Sequence, residues 1–475
     1  MSKAHRRLGW AATVLGDRST TWPAATYLGW LAAMTLIVSL VSVVALARTP
    51  ATQPARLAPM FRAAGFWAKG ATEAVYRHQT SPTTARLSQV QAPQNPFFFL
   101  PWGAVQNSSP RYTGNPLYLA LWTPCVRHLS AHGFFWLLGL LSLASALVVG
   151  YEALRIAGVE SASLRWLGAG CASMTVPVSV GFIGGHPHAQ AAAACLLGLK
   201  CLAHDPTRDA ERWLRSALGT LLLWLACVIH PPCGWMLLVL ALVRQWRRLV
   251  IAGCGCLVLW FALPRLLPSA LVEGHAAVKV AQTILPFSTN LSLRALLQRL
   301  KYDGLMPSAG GTTGIDPELW KLEIGLLIGF ALFFVVLCVR RPRFEVLGVS
   351  VLGLVVLQQP HVEPQHLVFV LPSALVATVS ESARLPLRTL GVLELLWLYR
   401  LLHEIPARLL SPSAVWAAAI SAPMGLAAGL ACALVFTSPD SHQRQGAKRH
   451  AAGRKPGEPL DAASSCTLGP GVPAQ

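Results

Sequence analysis

The sequence is poor in charged residues, and acidic residues are the scarcest of them. Only 12% of its 475 residues are charged, and 20 aspartates and glutamates stand against 39 lysines and arginines. Soluble domains carry about 25% charge, so this composition excludes an ordinary soluble enzyme. Apolar runs long enough to cross a bilayer recur along the chain. The sequence therefore predicts an all-α polytopic integral membrane protein with about twelve transmembrane helices.

The sequence also lacks any Cys-x-x-Cys pair. Its eleven cysteines lie mostly in or beside apolar runs, as Cys195 and Cys227 do. Cys254 and Cys256 are too close together for the usual spacing of a zinc knuckle. We interpret the cysteines as small apolar side chains that fill the interior, and we expect neither a disulfide framework nor a cysteine metal site.

The net charge of +19 does not indicate a nucleic-acid partner. Much of it lies in the C-terminal tail and in short clusters beside apolar runs, near 200–215 and at 244–248, 340–343 and 384–388. Basic residues beside spans mark the cytoplasmic side of a membrane protein. The cluster RQWRR (244–248) and the tail also suit anionic membrane lipids. The first apolar run, Tyr27–Ala47, is too long for a signal peptide, so we expect an uncleaved first span.

These clusters orient the predicted spans consistently. Residues 1–26 form a cytoplasmic N-terminus, 27–437 the transmembrane domain, and 438–475 a disordered basic cytoplasmic tail. Two large loops, about 48–131 and 268–321, are then extracytoplasmic. After the first span and an interrupted apolar stretch, later spans are predicted at 132–153, 164–182, 188–203, 214–229, 233–243, 248–267, 322–339, 344–359, 366–380, 388–402 and 413–437.

Three segments interrupted by proline carry histidines at the predicted outer ends of spans. They are GGHPHAQ (184–190), IHPP (229–232) and PHVEPQH (360–366). Prolines interrupt helices and free backbone N–H groups that can meet an anion. The topology predicts one outward-facing cavity surrounded by His186, His188, His230, His361, Glu363 and His366.

Three interpretations of these segments remain open. They are ordinary outer loops, or they form a metal site from His-x-His and His-x-Glu, or they bind a lipid-linked phosphate donor. No spacing fixes coordination geometry across separate loops, so we assign no metal ligands. In the third interpretation the histidines donate hydrogen bonds to the phosphate and Glu363 orients them.

The two outer loops carry further basic residues. FRAAGFWAKGATEAVY (61–76) predicts an amphipathic helix with Phe61, Gly65 and Ala68 on one face, lying on the membrane or docked over the spans. PFSTNLSLRALLQRLKYDG (286–304) predicts a second helix that carries Arg294. These basic residues either face solvent or hold a phosphate.

Four segments in order resemble a known group of membrane enzymes. NPLYLALWTP (115–124), which contains Tyr118, is similar to that group's tyrosine and proline stretch. GGHPHAQ followed by a charged turn, IHPP and RQWRR resembles its G-Q-x-N, I-K-P and R-R-W-R succession. STNLSLRALLQRL and QQPHVEPQHLVFVLP resemble an outer loop and a paired-histidine element. The group is the GT-C class of membrane glycosyltransferases, and in particular glycosyltransferase family 87, the polyprenol-phosphate-mannose-dependent mannosyltransferases.

The resemblance implies a bacterial cell-membrane enzyme with both termini in the cytoplasm. It would transfer mannose or another hexose from a polyprenyl-phosphate donor to an envelope lipid or glycan acceptor on the extracytoplasmic side. The donor would be the co-substrate and no cofactor is expected, although a divalent metal is left open. Membrane lipids, the donor and the acceptor are the expected partners, and nucleic acid is not.

One departure from the family concerns the catalytic base. Inverting sugar transfer needs a base for the acceptor hydroxyl and stabilisation of the leaving phosphate. The family's acidic residue after the first span has no counterpart in RLAPMFRAAGFW (56–67). Glu73, the only acid between Arg48 and Gly150, is then the substitute base and Glu363 the second candidate. His366, His230 and Arg294 are the candidates for the phosphate.

Two other functions fit the same sequence. The missing acid favours an inactive GT-C-fold protein that binds lipid or scaffolds an envelope assembly. A transporter or flippase would need charged residues facing each other at mid-membrane, and the predicted spans contain few.

Overall fold

A computed structural model describes most of the apolar part of the chain. The described residues are 59–77, 115–175, 186–203, 209–284, 343–357, 364–380, 385–398 and 422–437, together with short pieces between them that include Gln359. They belong to one compact unit, Met1–Ser438. Within the described ranges the chain is helical and contains no strand, which confirms the predicted all-α class.

The described helices are numbered in chain order. They are α1 (Pro59–Ala68), α2 (Ala74–Arg77), α3 (Pro116–His128), α4 (Ala131–Ile156), α5 (Ala162–Ser173), α6 (His188–Ala203), α7 (Asp209–Ile229), α8 (Leu237–Leu242), α9 (Trp246–Leu257), α10 (Ser269–Ile284), α11 (Phe344–Val355), α12 (Leu371–Val379), α13 (Leu385–Leu398) and α14 (Ala422–Thr437). Short 3-10 segments cover Pro231–Met236, Leu263–Leu266 and Pro364–Phe369, and a π segment covers Val258–Ala262.

Among the residues that the structure describes, two stretches of helix are long and apolar enough to cross a membrane. They are Trp136–Ile156 and Trp246–Leu266, each of 21 residues. Four shorter apolar helices accompany them, at His188–Ala203, Trp213–Ile229, Pro231–Leu242 and Phe344–Val355. The two long stretches support membrane association, and the number of about twelve spans stays a prediction.

Local sequence explains where several helices begin and end. The side chains of Asn115 and Ser130 cap α3 and α4 by accepting from the N–H groups of Leu117 and Gly133, at 2.9 and 3.1 Å. Gly158 ends α4 in the left-handed region, at φ +93°, and the next amide donates back to the Leu154 carbonyl. Prolines or polar caps thus set boundaries that apolar length alone does not show.

The centre of the bundle is formed by α11 and α12. Every residue of Val346–Val355 and of Leu371–Val379 is buried, so these helices are covered on all sides. Beside them α6 and α7 pack closely, because Gly198 and Gly219 face each other: a Cβ atom at Gly219 would lie 2.9 Å from the Gly198 carbonyl oxygen. Small residues permit such close helix crossings in membrane proteins.

Charged side chains gather at the C-terminal ends of α4 and α6. Glu152, only 3% exposed, forms ion pairs with Lys200 and with Arg155, the latter at 2.6 Å. Arg248 donates to the Leu202 carbonyl at 2.7 Å and so satisfies the end of α6. Because Lys200 lies twelve residues after His188, roughly 18 Å separate this charged end from the start of α6.

The predicted helix in the first outer loop is corrected by the structure. It is broken into α1 and α2 by a turn at Gly70, whose φ of +77° suits glycine. The most buried residues of α1 are Ala63 and Ala64, and Gly65 and Ala68 are only half-buried. The helix packs against α3, which agrees with the alternative that this segment is docked on neighbouring helices.

Candidate functional site

Three histidines come from positions where proline sets the end or the start of a helix. Pro187 precedes His188, the first residue of α6, and its carbonyl accepts from Ala191. His230 precedes Pro231, and a residue before proline is driven out of the helical region. It is extended, at φ −143° and ψ 93°, so α7 ends one residue earlier. His366 lies in the 3-10 segment that starts at Pro364.

The three rings form one cluster. The ring centroids of His188 and His366 are 4.1 Å apart, those of His188 and His230 are 5.2 Å apart, and those of His230 and His366 are 5.7 Å apart. One nitrogen from each ring lies within 4.8 Å of the other two. Residues separated by up to 178 positions in the sequence therefore meet at one point of the bundle.

The cluster is enclosed by protein. His230 is 8% exposed and His366 is 9% exposed, while His188 is half-buried. The ring of Phe369 stacks on His230 at a centroid distance of 4.9 Å and meets His188 edge-on at 6.2 Å. A buried position leaves the rings few orientations and strengthens any interaction with charge.

Gln359 fixes the ring of His230. Its side-chain amide is hydrogen-bonded to the His230 Nε2 atom at 2.6 Å, and Gln359 is itself 8% exposed. The amide offers an N–H donor and an oxygen acceptor, so the bond can form with either tautomer of the ring. The bond therefore restrains the ring of His230 through its Nε2 atom.

Tyr118 joins α3 to the helix that carries His188. Its hydroxyl donates to the Oε1 atom of Gln190 at 2.6 Å. Burial raises the pKa of Tyr118, so the hydroxyl stays protonated and continues to donate. The Gln190 Nε2 atom is buried and has no hydrogen-bond partner in the part of the chain that the structure describes. This amide is therefore a buried hydrogen-bond donor on the helix that begins with His188.

The electrostatics of the cluster depend on its three imidazole rings and on the dipole of α6. Two imidazolium ions 5 Å apart repel by about 3 kcal/mol at an effective dielectric constant of 20. An anion bound beside the rings would offset such repulsion. The positive end of the α6 dipole also points towards this region, because His188 is the first residue of the helix. Both features favour an anionic ligand.

Some of the residues predicted to surround one outward-facing cavity lie together in the structure. His188, His230 and His366 meet, and the ring of His186 lies 5.9 Å from that of His188. Glu73 is exposed in the turn between α1 and α2. His361, Glu363 and Arg294 lie outside the described residues, so their assignments stay predictions.

Sequence reasoning missed two neighbours of the cluster, Gln359 and Phe369. Gln359 occurs in the segment QQPHVEPQH that drew attention to the histidines, but no spacing singles out an amide. Phe369 looks like an ordinary apolar residue of a span. Only the packing of α6 on the 3-10 segments shows that these side chains touch the histidines.

Comparisons with known proteins place the chain in a family. No curated protein sequence and no solved structure matches it. The sequence profile of glycosyltransferase family 87 matches residues 112–360, more than half of the chain. The matched region contains Tyr118, His188 and His230, and His366 lies six residues beyond its end. The sequence resemblance is thereby confirmed, and the chain belongs to glycosyltransferase family 87.

Proposed function

We propose that the protein transfers a hexose, mannose in the first place, from a polyprenyl-phosphate donor to an envelope lipid or glycan. Its family gives the class of reaction, which is sugar transfer. The proposed setting is the extracytoplasmic face of a bacterial cell membrane, in a GT-C-type fold of about twelve spans with both termini cytoplasmic.

The observation that carries the proposal is the histidine cluster at the start of α6. Imidazole N–H groups and the N-terminus of a helix both bind phosphate oxygens. Lys200 and Arg155 lie at the other end of the bundle, where Glu152 already neutralises part of their charge. The phosphate of a donor therefore has its polar partners at the histidine end, which the topology predicts to be extracytoplasmic.

The reaction needs one base and one stabilised leaving group. The acceptor oxygen forms a bond to the anomeric carbon while the bond from that carbon to the phosphate oxygen breaks. The proton of the acceptor hydroxyl passes to the base, and polyprenyl phosphate leaves with the electron pair. His188, His230 and His366 stabilise the growing negative charge on the phosphate. In this proposal His186, His361 and Arg294 bind the remaining phosphate or sugar oxygens.

Glu73 is the proposed base, with Glu363 as the second candidate. Glu73 lies between α1 and α2, and α1 packs on α3. On α3, Tyr118 bonds to Gln190, two residues after His188. The loop with Glu73 is thus attached to an element that contacts the histidine helix, which supports its role as base.

A second function is favoured by one observation. Segment 56–67 contains no acid, and Glu73 is exposed. An exposed carboxylate without an enclosed site is a poor base, so a protein that binds the lipid-linked sugar without transferring it fits these facts too. That protein would scaffold an envelope assembly.

Reconstitution separates the two functions. The full chain is placed in proteoliposomes with polyprenyl-phosphate mannose and a lipid extract as acceptor source, and labelled product is measured. Transfer by the wild type, with a fall of at least about 100-fold in Glu73→Gln or in Glu363→Gln, identifies the base. Donor binding without transfer, across several polyprenyl-phosphate sugars, supports the inactive protein instead. Undiminished transfer when both glutamates are changed refutes both base assignments.

A further inference from the structure

We propose that His188, His230 and His366 bind one divalent transition-metal ion, with zinc as the natural occupant. Sequence reasoning assigned no metal ligands, because nothing in the spacing of the separate segments shows that they converge. A second step rests on the proposed function: the bound ion then meets the phosphate of the donor.

The geometry is close to that of a three-histidine zinc site. One nitrogen from each ring lies within 4.8 Å of the others. In a tetrahedral site with zinc–nitrogen distances near 2.0–2.1 Å, ligand nitrogens are about 3.3 Å apart. The widest pair therefore has to close by about 1.5 Å when the ion binds.

The surroundings supply what a metal-bound histidine needs. Ligating histidines usually use their second ring nitrogen to bond an outer partner that fixes the tautomer and the ring plane. Gln359 is that partner for His230, at 2.6 Å. When its carbonyl oxygen accepts from Nε2–H, Nδ1 is deprotonated and can bind the ion. Phe369, stacked on His230, shields the same ring from water.

The ligand count and charge indicate a site that acts on a substrate. Three protein ligands leave one coordination position open, which is typical of catalytic zinc sites and not of structural ones. The three described ligands are neutral imidazoles, so the ion keeps its two positive charges. An oxygen of an anionic phosphate is the complementary fourth ligand, and the ion would stabilise that oxygen as the sugar leaves.

Metal binding is tested without any sugar donor. The full chain is purified in detergent through a tag that contains no histidine, stripped with a chelator and titrated with Co²⁺, whose visible absorption reports tetrahedral nitrogen ligands. We expect one equivalent to bind, and zinc to displace it. His188→Ala, His230→Ala and His366→Ala should each weaken binding by at least about tenfold, and Gln359→Ala by about tenfold.

His128→Ala is the matched control, because His128 is an exposed histidine at the end of α3 outside the cluster. It should bind cobalt like the wild type. Wild-type protein that binds neither ion, or cluster variants that bind as tightly as His128→Ala, would overturn the proposal. If the cluster variants do not fold, the wild-type protein is tested instead. The rate at which diethyl pyrocarbonate acylates His188, His230 and His366 is measured with and without zinc. Zinc should slow modification of these three and not of His128, and equal rates with and without zinc refute the site.

Sugar transfer with and without the chelator distinguishes this proposal from the proposed function. Cobalt binding together with transfer that is lost on chelation and restored by zinc supports both. Cobalt binding without transfer supports the metal site and removes its second step. Transfer that persists after chelation, in protein that binds no cobalt, overturns the metal site and leaves the proposed function standing.

Discussion

At Gly219, α7 packs so closely against α6 that an added methyl group would not fit. A Cβ atom there would lie 2.8 Å from Leu202 Cγ, 2.9 Å from the Gly198 carbonyl oxygen and 3.1 Å from Cys201 Cβ. Carbon atoms in favourable contact are about 3.5–4.0 Å apart. Backbone cannot turn aside as a flexible side chain can, so Gly219→Ala has to push the two helices apart.

The size of this effect is obtained by comparison with a second glycine. Gly253 lies inside α9, and a Cβ atom there has nothing within 4 Å. Both substitutions gain the same helix propensity, about 1 kcal/mol. Overpacking of an interior costs about 1–3 kcal/mol. The free energy of unfolding should therefore be about 1–3 kcal/mol lower for Gly219→Ala than for Gly253→Ala, because the propensity gain cancels in the difference.

Unfolding of both variants in the same detergent or lipid micelles, followed by helical circular dichroism, measures that difference. The cobalt titration adds a second readout, since α6 begins with His188 and α7 is followed directly by His230. Separation of the helices should weaken cobalt binding in Gly219→Ala and leave it unchanged in Gly253→Ala. Equal unfolding midpoints for the two variants would show that α6 and α7 do not cross at these glycines.

Three further substitutions test contacts on either side of the bundle. Lys200→Met removes one ion-pair partner of the buried Glu152 and should lower the free energy of unfolding by about 1–3 kcal/mol. Combining it with Glu152→Gln should recover part of that loss, whereas fully additive effects of the two substitutions would show that the two side chains do not interact. Tyr118→Phe removes the hydrogen bond to Gln190 and should cost about 1–2 kcal/mol in thermal unfolding, whereas an unchanged midpoint would exclude that bond. Arg248→Ala removes the donor to the last turn of α6, so amide exchange there should accelerate relative to α4, and unaltered exchange would count against the cap.

Helix positions were predictable where sequence itself marks an end. The span 188–203 was predicted with the bounds that α6 has, because Pro187 precedes it and polar sequence follows. The predicted span 214–229 started late: α7 begins at Asp209, with an ion pair between Glu211 and Arg215 at 2.5 Å. Apolar length locates the part of a helix that suits a membrane, and it misses a polar first turn that is equally helical.

The site was predictable only in part, for a different physical reason. Proline and histidine together marked the segments of His188, His230 and His366, and topology placed them at the same end. Their separations of 4.1–5.7 Å between ring centroids depend on how closely α6, α7 and the 3-10 segments pack. Such packing is set by residues like Gly198 that carry no chemistry, so a motif search cannot find it.

The two ends of the bundle differ in how their helices terminate, and this difference connects fold to chemistry. At the charged end, Gly158 ends α4, Arg248 donates to a carbonyl of the last turn of α6, and Lys200 and Arg155 pair with the buried Glu152. At the histidine end, prolines set where the helices start and stop, and each proline removes a backbone donor and a helical turn that an unbroken helix would keep. That loss is tolerated where the chain lines a cavity. The same helix ends suit a site that binds an anionic phosphate, because they bring His188, His230 and His366 together at one end of the bundle.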